Sequence, residues 1–211
     1  MNIEKTKEIG FCFGVKRAVD ILEEVCDERG EVETLGAVVH NQQVLQRLAN
    51  IGVKVAKDVE DIEGKAVAIS SHGVAPEVEE KIKARKINIV DTTCPFVHRL
   101  QTAARRLARA GFLVVIYGDA GHTEVRGVLG WAEGKGLATL DEKDIFKLEP
   151  LPLRIGVLSQ TTQIPADFVK FVKRLIDDAF TRTPSCTLLI PYATILGKGS
   201  LRRWNWQVRL T

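Results

Sequence analysis

The chain of 211 residues has no apolar run of 18 or more residues, so no segment reads as a membrane-spanning helix. Its first residues, Met-Asn-Ile-Glu-Lys, lack the apolar stretch of a secretory signal, and a cytoplasmic protein is expected. Aromatic side chains are scarce, at 6%, which disfavours a β-sandwich and suits aliphatic strands alternating with helices. Only four cysteines are present, and in a reducing compartment they read as free thiols or metal ligands rather than disulfides. Acidic residues are missing altogether from Thr181 onward, where five basic ones stand: Arg182, Lys198, Arg202, Arg203 and Arg209. Residues 1–180 then hold 25 basic against 27 acidic residues, a net of −2, so the overall +3 belongs to the tail. Such a body gives no support to nucleic-acid binding. Close-spaced Cys-x-x-Cys and His-Glu-x-x-His pairs are also missing, which weighs against a zinc hydrolase.

What is there is a regular alternation of periods. Residues 14–29 read as a helix with Val15, Val19, Leu22 and Cys26 on one face. Residues 34–39 read as a strand, 42–50 as a helix closed by Gly52, 66–70 as a strand, 77–85 as a helix after Pro76, and 87–90 as a strand. The pattern then restarts: a helix over 96–110 ended by Gly111, an apolar strand over 112–117, a helix after Thr123, a strand over 155–158 and a helix over 165–180. Strands separated by helices of this length predict parallel βαβ units, an α/β fold. There is no close sequence repeat, but the second half resembles the first in layout, and two α/β modules splitting near Cys94-Pro95 are expected. Ligands of such sheets bind where strands end.

The chemistry-bearing residues gather at those ends. Cys12 follows Ile-Gly-Phe and precedes Phe-Gly-Val and a helix, so its sulfur is expected near helix N-terminal amides that stabilise a thiolate. Either it is a metal ligand, with the flanking glycines admitting a bulky cluster, or it is a small buried hydrophobe. Cys94, in Asp-Thr-Thr-Cys-Pro, follows the same logic with Pro95 at the first helical position. Cys26 continues an apolar helix face and reads as core. Three strand-end turns carry His40 (Val-Val-His-Asn), His72 (Ser-Ser-His-Gly-Val) and His122 (Ala-Gly-His-Thr-Glu-Val), at positions suited to holding a diphosphate or to local hydrogen bonding. Glu124 is either a proton source or an ordinary first-turn acid. Thr161 and Thr162, in Ser-Gln-Thr-Thr, end a strand and could simply cap a turn. His98, within a helix beside Arg99, and the charged run from Lys57 to Glu63 read as solvated surface.

Taken together, Gly-Phe-Cys-Phe-Gly-Val-Lys-Arg-Ala, Val-Val-His-Asn, Ser-Ser-His-Gly-Val, Asp-Thr-Thr-Cys-Pro, Gly-His-Thr-Glu-Val-Arg-Gly and Ser-Gln-Thr-Thr resemble the 4-hydroxy-3-methylbut-2-enyl diphosphate reductase family, from residue 1 to about 182. The resemblance implies three α/β modules arranged like a cloverleaf, of which this chain holds two: 1–94 and 95–182. It implies a [4Fe-4S] cluster held by three cysteines, the first two matching Cys12 and Cys94, with a fourth iron that acts as a Lewis acid on the substrate hydroxyl. His40, His72 and His122 match the diphosphate-binding histidines, Glu124 the proton-supplying acid and Thr161 the threonine near the substrate hydroxyl. Electrons arrive singly from ferredoxin or flavodoxin, and the products are isopentenyl and dimethylallyl diphosphate.

Beyond Arg182 the chain departs from that pattern. The resemblance calls for Asn-Thr-Ile-Cys-x-Ala-Thr and then a third module with a Ser-x-Asn motif, whereas residues 183–211 hold Cys186 in Pro-Ser-Cys-Thr-Leu-Leu-Ile, no acids, and Trp204 and Trp206. These residues read as an aberrant, poorly ordered tail produced by a frameshift. Tryptophan has one codon, so the shifted frame through Trp204-Asn205-Trp206-Gln207 must read Glu-Leu-Ala, and the step from Tyr192 to Ala193 permits Cys. On that reading Cys186 is not the third ligand. A cluster on two thiolates is expected to be oxygen-labile, the unpaired module surfaces aggregation-prone, and turnover slight or nil. The alternative is a non-catalytic remnant without a cluster.

Overall fold

Residues 10–39, 41–150, 152–182, 187–190 and 206–209 are described in the computed structural model. The chain divides into two compact units, one formed by the residues up to Ser71 with Ile82–Cys94, the other by His72–Lys81 with the residues from Pro95 on.

The first unit runs α1 (Phe13–Arg29), β1 (Val32–Leu35), α2 (Gln42–Asn50), β2 (Val53–Ala56), a 3-10 turn (Val59–Asp61), β3 (Ala66–Ile69), α3 (Pro76–Ala84), whose first residues group with the second unit, and β4 (Asn88–Asp91). Its four strands pair in parallel in the order β2-β1-β3-β4. The 3.6-residue period of α1 puts Ala18, Val19, Leu22 and Cys26 on one buried stripe, packed with Val32, Val53 and Ala68 of the sheet and Val44 and Leu48 of α2. Asn41 starts α2 by accepting the Val44 N–H at 3.1 Å.

The second unit repeats that order: α4 (Pro95–Arg109), β5 (Leu113–Tyr117), α5 (Thr123–Trp131), β6 (Gly136–Thr139), a 3-10 turn (Glu142–Lys147), β7 (Arg154–Ser159), α6 (Pro165–Arg182) and β8 (Thr187–Ile190), followed by β9 (Trp206–Arg209). The sheet order is β6-β5-β7-β8-β9, parallel throughout except for antiparallel β9. Strand alternation divides β5 between two cores. Val115 and Tyr117 meet Phe168, Phe171 and Leu175 of α6, while Val114 and Ile116 meet Leu100, Ala104 and Leu107 of α4 and Val125 and Val128 of α5. Each fully buried aliphatic or phenyl side chain contributes roughly 1.5–3 kcal/mol.

Parallel sheets with flanking helices are therefore present, as the alternating periods predict. Four strands lie outside those periods: β2 and β6, and also β8 and β9, which fall in the stretch read as a poorly ordered tail. β2 and β6 are four-residue edge strands, one with exposed Lys54 and Val55, the other opening Gly-Leu-Ala, and each is too short for a period to show. The first strand ends earlier than its apolar run, because Gly36 turns the chain at φ 72° and its N–H closes on the Ala56 carbonyl at 2.9 Å. The run from Lys57 to Glu63 is not wholly surface. Asp58 and Asp61 form a capping box, and Val59 and Ile62 are buried, their carbonyls accepting from Arg85. Among the described residues no helix is long and apolar enough to cross a membrane.

Candidate functional site

Two groups of chemistry-bearing residues emerge, one in each unit. In the first unit Cys12 is the N-cap of α1 and makes no side-chain capping bond, so its thiol stands at the positive end of a 17-residue helix. It is exposed, between two exposed phenylalanines, Phe11 and Phe13. Cys94, part-exposed, lies in the loop after β4, and its sulfur packs against the first turn of the same helix. A Cβ on Gly14 would come 2.6 Å from the Cys94 Sγ, so only glycine leaves room there. Both sulfurs are thus brought to the start of α1.

The Asp-Thr-Thr-Cys motif explains how. The three N–H groups leading to and including Cys94, and the Thr93 carbonyl, each have a partner. The Thr92 N–H and hydroxyl both donate to the Ile69 carbonyl, Asp91 Oδ1 accepts the Thr93 N–H at 2.9 Å, and the Cys94 N–H donates to Ser71 O at 3.0 Å. The Arg17 guanidinium, on α1, donates to Thr93 O at 3.2 Å. Thr92 and Thr93 are buried, so the loop is fixed from both sides.

In the second unit the segment carrying His72 is docked on α5 by small residues and main-chain carbonyls. Gly130 meets Ala75 so closely that an added Cβ would approach the Ala75 Cβ to 2.4 Å, and the Trp131 indole donates to Val74 O at 2.9 Å. His122 is the N-cap of α5, and its Nδ1 accepts the Glu124 N–H at 3.1 Å. The neutral ring therefore carries its proton on Nε2, where it can donate to an anion. The two imidazoles sit edge to face, with centroids 5.5 Å apart. Glu124, 2% exposed, receives two bonds from Thr161: the N–H to Oε1 and the hydroxyl to Oε2, both at 2.7 Å. A carboxylate this deeply buried is tolerable because its oxygens are paired. Gln160 joins the loop by accepting the Asp119 N–H and donating to Thr162.

Of the residues singled out in the sequence, Cys12 and Cys94 both lie at the start of α1, and His72, His122, Glu124 and Thr161 contact one another in turn. His40 and Cys186 lie outside the described residues. Cys26 is core, 5% exposed, and His98 is exposed on α4. Arg17, Asp91 and Gln160 were missed, since a side chain that grips a main-chain atom leaves no residue-type signature. Among the described residues no three His, Cys, Asp or Glu side chains form a metal-ligand set. Burial, with Asp27 adding to it, pushes the Cys26 thiol above its ordinary value. Less of it is thiolate at any given pH, so alkylation of the folded chain at pH 8, followed residue by residue by mass spectrometry, should label Cys12 first and Cys26 last.

The fold and these residues define a class: a parallel α/β protein that brings two thiols to one helix terminus and builds an imidazole–carboxylate group at strand ends. The family profile described as LytB protein matches residues 3–194, and the chain belongs to that family. It is 58% identical over 182 residues to the protein named 4-hydroxy-3-methylbut-2-enyl diphosphate reductase of Dehalococcoides mccartyi strain CBDB1, covering 86% of this chain and 64% of that protein. A protein of the same name from Geotalea uraniireducens strain Rf4 is 40% identical over 183 residues, with 86% and 63% covered. The chain thus spans about two thirds or slightly less of these relatives' length. A solved (E)-4-hydroxy-3-methyl-but-2-enyl diphosphate reductase, described as the terminal enzyme of the non-mevalonate pathway, superposes with a TM-score of 0.71 at 35% identity, over 86% of this chain and 64% of that one. The corresponding reductase from Plasmodium falciparum, at 24% identity, shares the fold with a TM-score of 0.81 over 91% and 59%.

Proposed function

We propose that this chain carries the cluster-binding and substrate-binding residues of a 4-hydroxy-3-methylbut-2-enyl diphosphate reductase, which takes up two electrons and two protons to convert the allylic alcohol into isopentenyl or dimethylallyl diphosphate and water. The observation that carries the reading is the seating of Cys94 Sγ against Gly14, two residues beyond Cys12, because that cradle leaves both sulfurs at one helix terminus with no competing bond for the Cys12 side chain. Cys12 and Cys94 would hold a [4Fe-4S] cluster, and soft thiolates suit iron–sulfur chemistry. When bound, that cluster supplies single-electron transfer and Lewis acidity toward a hydroxyl, which no side chain can.

The remaining roles fall to the chain's own groups. His122, through Nε2–H, and His72 beside it would bind the diphosphate together with His40. Glu124 would hold a proton on the carboxyl that faces Thr161, whose hydroxyl would pass it toward the substrate and reorient. Ferredoxin or flavodoxin would deliver the electrons one at a time, and a cytoplasmic setting suits those donors.

The frameshift reading gains support from the repeated element order. In the first unit β4 ends at Asp91 and the cysteine follows three residues later. The equivalent step from the end of β8 at Ile190 lands on Ala193, at the codon junction where the shifted frame permits Cys. Sequencing the coding DNA across codons 184–207 tests this, and codons that forbid Cys between Tyr192 and Ala193 would end it.

Anaerobic reconstitution of the full chain with iron and sulfide tests the cluster assignment. A brown protein absorbing in the blue is expected, with iron lost quickly in air, little diphosphate reduction, and no colour once Cys12 and Cys94 are both serine. Equal iron retention by that double variant would refute the assignment and favour a remnant without a cluster.

A further inference from the structure

The two units repeat more than their element order. Aligned on the cysteine that opens each copy, Cys12-Phe-Gly-Val15-Lys-Arg17 matches Cys94-Pro-Phe-Val97-His-Arg99: Cys-x-x-Val-x-Arg in both. Val15 packs against the first-unit core and Val97 is buried, so the valine is a packing position. The arginine, two residues further along, has no such account. In the first copy its guanidinium donates to Thr93 O, the carbonyl immediately before the cysteine of the second copy.

We infer that Arg17 is a positioning residue for Cys94: it latches the loop that presents the second sulfur onto the helix that presents the first. Without it the loop keeps its bonds to Ile69 and Ser71, all to β3 and the residues just beyond it, and its packing on Gly14, but loses its hydrogen bond to α1. Main-chain capture by a charged donor is stronger than a neutral bond, and Arg17 is half-buried, so water competes poorly for it. Gly14 supplies the seat and Arg17 the strap. The equivalent Arg99 is exposed on α4, its guanidinium 5.8 Å from the Phe96 ring, and serves as an internal control. The biological meaning rests on the ligand assignment proposed above, but the latch can be tested without iron.

The experiment is site-resolved alkylation of the iron-free full chain by iodoacetamide, with peptides quantified by mass spectrometry. Arg17→Gln should speed labelling of Cys94 about tenfold or more, the weight of one charge-assisted hydrogen bond in a loop-opening equilibrium. Cys12 and Cys26 rates and the thermal unfolding midpoint should not move, and Arg17→Lys, which keeps one donor, should restore most of the protection. Arg99→Gln should leave all three rates unchanged. Three results would overturn the inference: Cys94 labelling unchanged to within about twofold, Cys26 rising in step with Cys94, or Arg99→Gln matching Arg17→Gln. If Arg17→Gln does not fold, the Arg17→Lys comparison with the parent still decides, since a purely structural arginine would lose Cys26 protection as well.

Discussion

Replacing Gly14 by alanine should destabilise the first unit and strip the reconstituted chain of most of its iron. In an ordinary helix the same change adds about 1 kcal/mol of stability. Here the new methyl would stand 2.6 Å from the Cys94 sulfur and 3.1 Å from its Cβ. Rotating the sulfur would leave the Cβ clash in place, and the backbone that carries that Cβ is bound at Ser71, Ile69 and Arg17. Overpacking of this kind typically costs about 1–3 kcal/mol, enough to outweigh the helix gain. Denaturant unfolding measures the stability, and iron per chain after anaerobic gel filtration measures the ligand geometry. A stabilised Gly14→Ala chain with unchanged iron would show that the loop yields freely and that the cradle has no role.

Glu124→Ala should cost the second unit about 2 kcal/mol or more, while Glu124→Gln costs under about 1 kcal/mol. Alanine removes both acceptors used by Thr161 and opens a cavity at a site 2% exposed. Glutamine keeps the carbonyl that accepts the Thr161 N–H, and its amide can donate to the Thr161 hydroxyl once that group rotates. The ratio of the two losses matters more than either value. If both substitutions destabilise equally, the carboxylate is needed as a charge; if neither does, the Glu124–Thr161 bonds do not hold the α5 and α6 termini together. Urea titration of the three chains separates these outcomes.

Much of this was legible in the amino-acid order. Long amphipathic periods mark α1, α4 and α6, and apolar runs mark β3, β5 and β7, because burial of a whole face writes itself into the spacing of side chains. The cysteines and histidines were legible as types at strand ends, but their partners were not. Arg17 and Gln160 act on main-chain atoms of residues far away in sequence, and Gly14 and Gly130 matter for the volume they leave empty, which no motif states. The edge strands β2 and β6 hide because half-exposed four-residue strands need little apolar character. The likeness in layout between the two halves was legible, but the residue-level match was not, since few identities such as the Cys, Val and Arg positions accompany an arrangement of eight elements that recurs in full.

On the ligand assignment proposed above, that recurrence has a consequence for an inorganic centre. Each copy of the arrangement would then add one donor atom at the start of its first helix, with no scattered point changes. Adding or removing a copy would change the denticity of the whole assembly in one step, while the core within each remaining copy stays as it is.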